Sequence, residues 1–159
     1  MKVTDDYVFF WKESPFCNFT RCVINYDGNR FSTSEQLFMW MKAKHFNDDK
    51  TAGDILRSGS PDMAKRLGRM VRNYDDAEWD RVRVDYMYTA VLEKFNQNQS
   101  MREKLCDSQY DGKQFVEASG NDDIWGIGYN EDDALTVPEK KWGRNELGKV
   151  LNRVRDSFK

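Results

Sequence analysis

The chain has 159 residues and a formal net charge of −2, from 25 Lys and Arg against 27 Asp and Glu. That length suits one ordinary domain, expected to span 1–159, and the near balance of charge argues against holding nucleic acid by bulk electrostatics while leaving room for a small basic pocket for one phosphate. A single His, with Cys17, Cys22 and Cys106 showing no CxxC spacing, argues against a zinc site, a cofactor metal or a Cys/His nucleophile pair.

No apolar run approaches ~20 residues, so no membrane partner is expected. Three scattered cysteines without a signal peptide point to a reducing, cytoplasmic setting. Aromatic content is 14%, with five Trp, seven Tyr and ten Phe, enough to close a core and still line a pocket.

Tyr7-Val8-Phe9-Phe10-Trp11 reads as a short strand. Ser14–Phe19 is a turn with two aromatics flanking Asn18, whose amide suits either an Asx turn or a polar ligand. Arg21–Tyr26 is a second strand, and Asp27-Gly28 is a hairpin signal that returns the chain through Asn29-Arg30-Phe31.

The hairpin delivers the chain to Ser32-Thr33-Ser34-Glu35-Gln36, which opens a helix to Phe46. Leu37, Phe38, Met41 and Phe46 form its apolar stripe. Two capping boxes fit: Ser32 with Glu35, or Thr33 with Gln36. Glu35 therefore has two readings, a capping carboxylate or a general acid/base at the mouth of a pocket. Lys42, two turns on, lies on nearly the same face.

A helix is predicted over 49–57. Ser60-Pro61 then caps and starts another, with Met63, Ala64, Leu67 and Met70-Val71 inward and Lys65, Arg66, Arg69 and Arg72 outward. Gly68 in its interior predicts close packing. A long helix follows from Asp75, Asp76 or Ala77 to about Phe95, burying Trp79, Val82, Tyr86, Ala90 and Phe95. A short helix over 100–106 and a strand over 113–118 precede Ser119–Tyr129.

In that segment a Gly stands on either side of an Asn-Asp pair, before Trp125-Gly126-Ile127-Gly128. It suits neither helix nor strand and reads as a shaped loop, with Asp122 as a capping residue in its structural role. Residues 130–141 look like an exposed loop. Trp142–Gly148 opens a last helix, with Asn145 as a candidate N-cap leaving N–H groups suited to a phosphate.

Taken together, Phe16-Cys17-Asn18-Phe19, Thr33-Ser34-Glu35-Gln36 with Lys42, Ser60-Pro61 with Gly68-Arg69, Lys94-Phe95, Asn121–Gly128 and Gly143–Gly148 resemble the YbiA-like, or NADAR (NAD- and ADP-ribose-related), family from about Phe10 to Arg155. Gln36 and Cys17 stand where the family often has His and Ser, and Glu131-Asp132-Asp133 is an acidic insert. The resemblance implies an α+β, mainly helical domain with a small N-terminal antiparallel β element.

It further implies a hydrolase of N-glycosidic bonds to ribose, with no cofactor. Its substrate would be a small phosphoribosyl metabolite of the riboflavin-intermediate type, or an ADP-ribosyl group on guanine in nucleic acid. The family motifs put catalysis on Glu35, Lys42 and Asp122. Around the substrate they place Asn18, Phe19, Arg69, Trp125, Gly126, Gly128, Arg144 and Asn145. The alternative is a non-catalytic module binding ADP-ribose or another NAD-derived nucleotide.

Overall fold

In the computed structural model, which describes residues 1–159, strands β1 (Lys2–Val3) and β2 (Tyr7–Phe10) open the chain. A hairpin of β3 (Ile24–Tyr26) and β4 (Asn29–Phe31) leads into α1 (Ser34–His45), α2 (Asp49–Leu56), α3 (Pro61–Gly68), α4 (Asp76–Gln97) and α5 (Gln99–Leu105). Strand β5 (Gln114–Glu117), the short α6 (Glu131–Ala134) and α7 (Glu146–Ser157) complete the chain. The expected α+β, mainly helical class holds. The chain divides into two compact units, Asn18–Gln99 and Met1–Cys17 with Ser100–Lys159.

In the Asn18–Gln99 unit, β3 and β4 pair antiparallel, Ile24 opposite Phe31. Asp27 and Gly28 both take positive φ, 49° and 75°, as a two-residue hairpin turn requires. Helix α1 packs against α2, α3 and α4. Leu37, Phe38, Met41 and Phe46 are buried as their spacing predicts, and Phe38 and Phe46 meet the Trp79 ring at 5.3 and 6.2 Å.

Helix α3 starts as expected, Ser60 Oγ accepting the Met63 N–H at 3.1 Å with Pro61 in the first turn. Its buried face is Ala64 and Gly68, four residues apart. A Cβ on Gly68 would stand 2.0 Å from Met39 Sδ, so the glycine lets the two helices approach. Because that face docks, Met63 and Met70 turn outward and are exposed, contrary to the expected inward set.

Asp48 caps α2 and ties it to the chain beyond α3. Its carboxylate accepts N–H bonds from Thr51 (3.1 Å) and Arg72 (2.8 Å), with the Arg72 guanidinium at 3.3 Å. The Arg72 bond leads the contacts that hold its pKa far below the ordinary carboxylate range. Along α4 the buried side chains are Trp79, Met87, Ala90, Val91, Lys94 and Phe95. Val82 and Tyr86 are only half-buried, whereas Lys94 lies fully inside.

The other unit is built on a three-stranded sheet in the order β1-β2-β5. β1 and β2 are antiparallel, but β2 and β5 are parallel, Tyr7 opposite Gln114 through Phe10 opposite Glu117. Local pattern gives no cue to this pairing, because the partners are about a hundred residues apart. Phe9, Val116, Ala118, Ile127 and Ala134 form a buried cluster under Tyr7, Tyr129 and Trp142. Segment 130–141 thus contributes a core residue, Ala134, and its carbonyl accepts the Trp142 indole N–H at 3.0 Å, where an exposed loop was expected. Helix α7 buries Leu147, Val150, Leu151 and Val154.

Candidate active site

In the Asn18–Gln99 unit the site begins with how α1 starts. Thr33 Oγ1 accepts the Gln36 N–H at 3.0 Å, and Gln36 Oε1 reaches back to the Ser32 N–H at 2.8 Å. Of the two capping boxes the spacing allowed, the structure forms the one that bypasses Glu35. The Glu35 N–H donates to the Asn18 carbonyl at 3.1 Å. The capping box is thus closed by Thr33 and Gln36, and the Glu35 carboxylate lies only 8% exposed. A carboxylate kept out of water where other residues close the capping box is a candidate for chemistry.

Asn18 is the clamp for this turn. Its Oδ1 accepts the Ser34 hydroxyl at 2.8 Å, and its amide points at Met87 Sδ, 3.3 Å away. The amide is thus used inside the protein, and Asn18 sets the position of Glu35. Phe19, next in the chain, is half-buried with the Lys65 ammonium 5.8 Å from its ring centroid.

Lys42 is half-buried on α1, its ammonium 4.7 Å from the Tyr74 ring centroid and 5.6 Å from that of Trp79. Burial pushes its pKa down. Glu35 opposes that shift, and Arg69 and Arg83 add to it. One unit therefore brings together Asn18, Glu35, Lys42 and Arg69 of the expected residues. Tyr74, Trp79 and Arg83 were not foreseen as neighbours of Lys42. Trp79 read as core from its stripe, and its spacing of four residues from Arg83 on α4 was the available signal.

In the other unit, Asp122 organises its loop. Oδ1 accepts the N–H groups of Ile124 (2.9 Å) and Trp125 (2.8 Å), while its carbonyl accepts the Gly128 N–H at 3.0 Å. Gly126 sits where a Cβ would come 2.8 Å from the Glu117 carbonyl, and Gly128 has φ +76°. Both glycines are needed for the shape of the loop. Trp125 is half-buried and Arg144 is exposed.

The start of α7 differs from expectation. Asn145 is left-handed and makes no side-chain cap. Its Oδ1 accepts the Glu117 N–H at 3.0 Å and its amide donates to the Phe115 carbonyl at 2.9 Å, so it pairs with β5. The N–H groups of Glu146 and Leu147 already donate to the Ile124 and Trp125 carbonyls, which removes two donors that a phosphate at this helix start would use. Nowhere do three His, Cys, Asp or Glu side chains gather as a metal ion would need.

The fold and the Glu35–Lys42 arrangement define an α+β domain with a buried carboxylate and a half-buried lysine on one helix. The NADAR domain model matches residues 9–159, and the chain belongs to that family. It is 33% identical over 166 residues to the N-glycosidase R617 of Acanthamoeba polyphaga mimivirus, covering 96% of each chain. The NMR structure of the Escherichia coli protein YbiA superposes with a TM-score of 0.77 at 29% identity, over 99% of this chain and 87% of that one. A riboflavin biosynthesis protein of Vibrio vulnificus is 30% identical over 141 residues, 89% of this chain and 34% of that longer protein.

Proposed function

We propose that the chain is a hydrolase that cleaves the N-glycosidic bond between a phosphoribosyl or ADP-ribosyl group and a nitrogenous base. The observation that carries the reading is a carboxylate, Glu35, buried beside Lys42 on a helix whose capping box is closed by Thr33 and Gln36 instead. Relatives named N-glycosidases support the reaction class.

Cleavage of an N-glycoside builds positive charge at the anomeric carbon, and a carboxylate against that carbon stabilises it. Glu35 takes this role. Lys42 orients the carboxylate as a cation, since Glu35 opposes the loss of its proton. Tyr74 and Trp79 hold the lysine side chain from the ring side. Arg69 takes the substrate's phosphate and Phe19 its rings, and the family motif makes Asp122, whose Oδ1 holds its own loop, a second candidate acid.

Substrate classes are favoured in a definite order. The relation to a riboflavin biosynthesis protein favours a small phosphoribosyl metabolite, and so does the net charge of −2. Cytoplasmic placement fits three free cysteines. The experiment is Glu35→Gln assayed by mass analysis of released base, on phosphoribosyl-amine compounds and on an ADP-ribosylated guanine oligonucleotide. Loss of activity by about 100-fold or more with an unchanged fold is expected. Wild-type turnover by the variant, or tight ligand binding without turnover by the wild type, would overturn the reading.

A further inference from the structure

Away from Glu35 and Lys42, a cavity of about 440 Å³ opens on the same unit. Its wall includes Arg21, Val23, Arg30, Ser32, Gln36 and Leu56. Both arginines are exposed, and neither makes an ion pair or hydrogen bond through its guanidinium. No carboxylate lines the cavity. The hairpin places the two together: Arg21 leads into β3, and Arg30 lies at the centre of β4 opposite Asn25.

Arg21 and Arg30 thus put two guanidiniums with no carboxylate partner on one hollow, in a chain with 27 acids against 25 bases. Four other arginines of this unit take carboxylates, Arg57 with Asp54, Arg72 with Asp48, Arg81 with Glu78 and Arg83 with Asp80, whereas Arg66 and Arg69, like Arg21 and Arg30, take none. The planar fork of an arginine matches phosphate oxygens two at a time. Val23 and Leu56 add an apolar wall beside the charge, and the volume is that of a small-molecule site. We infer that this cavity binds a small organic phosphate, with Arg21 and Arg30 gripping the phosphate and the apolar wall receiving the rest.

The cavity bears on α1. Ser32 and Gln36 line it, and they are the pair that closes the first turn, through the Ser32 N–H and hydroxyl on Gln36 Oε1 at 2.8 and 3.2 Å. A ligand seated here touches the cap of the helix that carries Glu35. The binding claim stands whether or not Glu35 is catalytic. A polynucleotide is disfavoured, because it would need a track of cations and the cavity has two.

The test is a titration of the full chain with inorganic pyrophosphate, read by amide NMR. Saturating shifts at Arg21, Val23, Arg30 and Ser32 are expected. They should persist in Glu35→Gln and weaken by about tenfold or more in Kd in the Arg21→Ala/Arg30→Ala double variant, whose melting should match wild type because neither guanidinium has a partner. Absence of saturating shifts at these amides, or shifts confined to Lys42 and Arg69, would overturn the site. Tighter binding of a dT oligonucleotide than of pyrophosphate at these amides would overturn the small-ligand assignment.

Discussion

At the scale of single residues, the question is what each polar group is already doing. Glu35 and Gln36 were equal candidates for closing the helix turn, and the hydrogen bonds choose Gln36. Thr33→Ala should therefore lower stability by about 1 kcal/mol, read by denaturant unfolding. Lys42 carries a pH signature. Its pKa in the folded protein lies below the ordinary lysine value of about 10.4. If the cation orients Glu35, activity falls as pH rises through that lowered pKa, and Lys42→Arg shifts the fall to higher pH. The same lowering makes the unfolded chain bind the proton more tightly, so this group adds stability as pH rises across the window between the two pKa values. Comparing pH–rate and pH–melting profiles of wild type and Lys42→Arg checks both signs. Borohydride should trap no adduct, and recovery of one on Lys42 would mean the amine attacks the sugar. Asp122→Asn keeps an oxygen for the Ile124 and Trp125 N–H groups while removing the charge. The variant should fold and lose activity by about 100-fold, and full activity would leave Asp122 as a loop cap only.

At the scale of elements, most starts and stops were written in local residues. Asp27-Gly28 gave the hairpin, Ser60-Pro61 the start of α3, and Gly126 and Gly128 an irregular loop, because each depends on backbone preferences a few residues wide. Which face of an element docks was less readable. Met63 looked inward by hydrophobicity, yet α3 presents Ala64 and Gly68 to α1, since small residues allow the closest approach. Asn145 looked like a cap and instead pairs with β5, which its left-handed backbone permits. Gly148 makes that arrangement possible. A Cβ there would stand 2.1 Å from the Phe115 carbonyl and 2.4 Å from the Asn145 amide. Gly148→Ala should cost about 1–3 kcal/mol in chemical unfolding, because backbone on the facing strand cannot swing aside. An unchanged midpoint would show that α7 and β5 are less closely seated.

At the scale of the whole molecule, charge separates the substrate classes. With a net charge of −2, turnover of a phosphoribosyl metabolite should change less than about threefold between 50 and 200 mM salt, whereas a substrate held along a nucleic-acid backbone would weaken by orders of magnitude. Initial rates on both substrates across that range give the answer. The order of motifs along the chain already marked the family and the mainly helical class, because both rest on patterns set by neighbours in sequence. Local pattern likewise placed Glu35 and Lys42 on one helix face. Three things lay beyond it: the parallel pairing of β2 with β5, the choice of Gln36 over Glu35 to close the capping box, and the Tyr74–Trp79 surroundings of Lys42. Each depends on which distant group arrives to take a hydrogen bond or fill a space, and only the folded chain determines that.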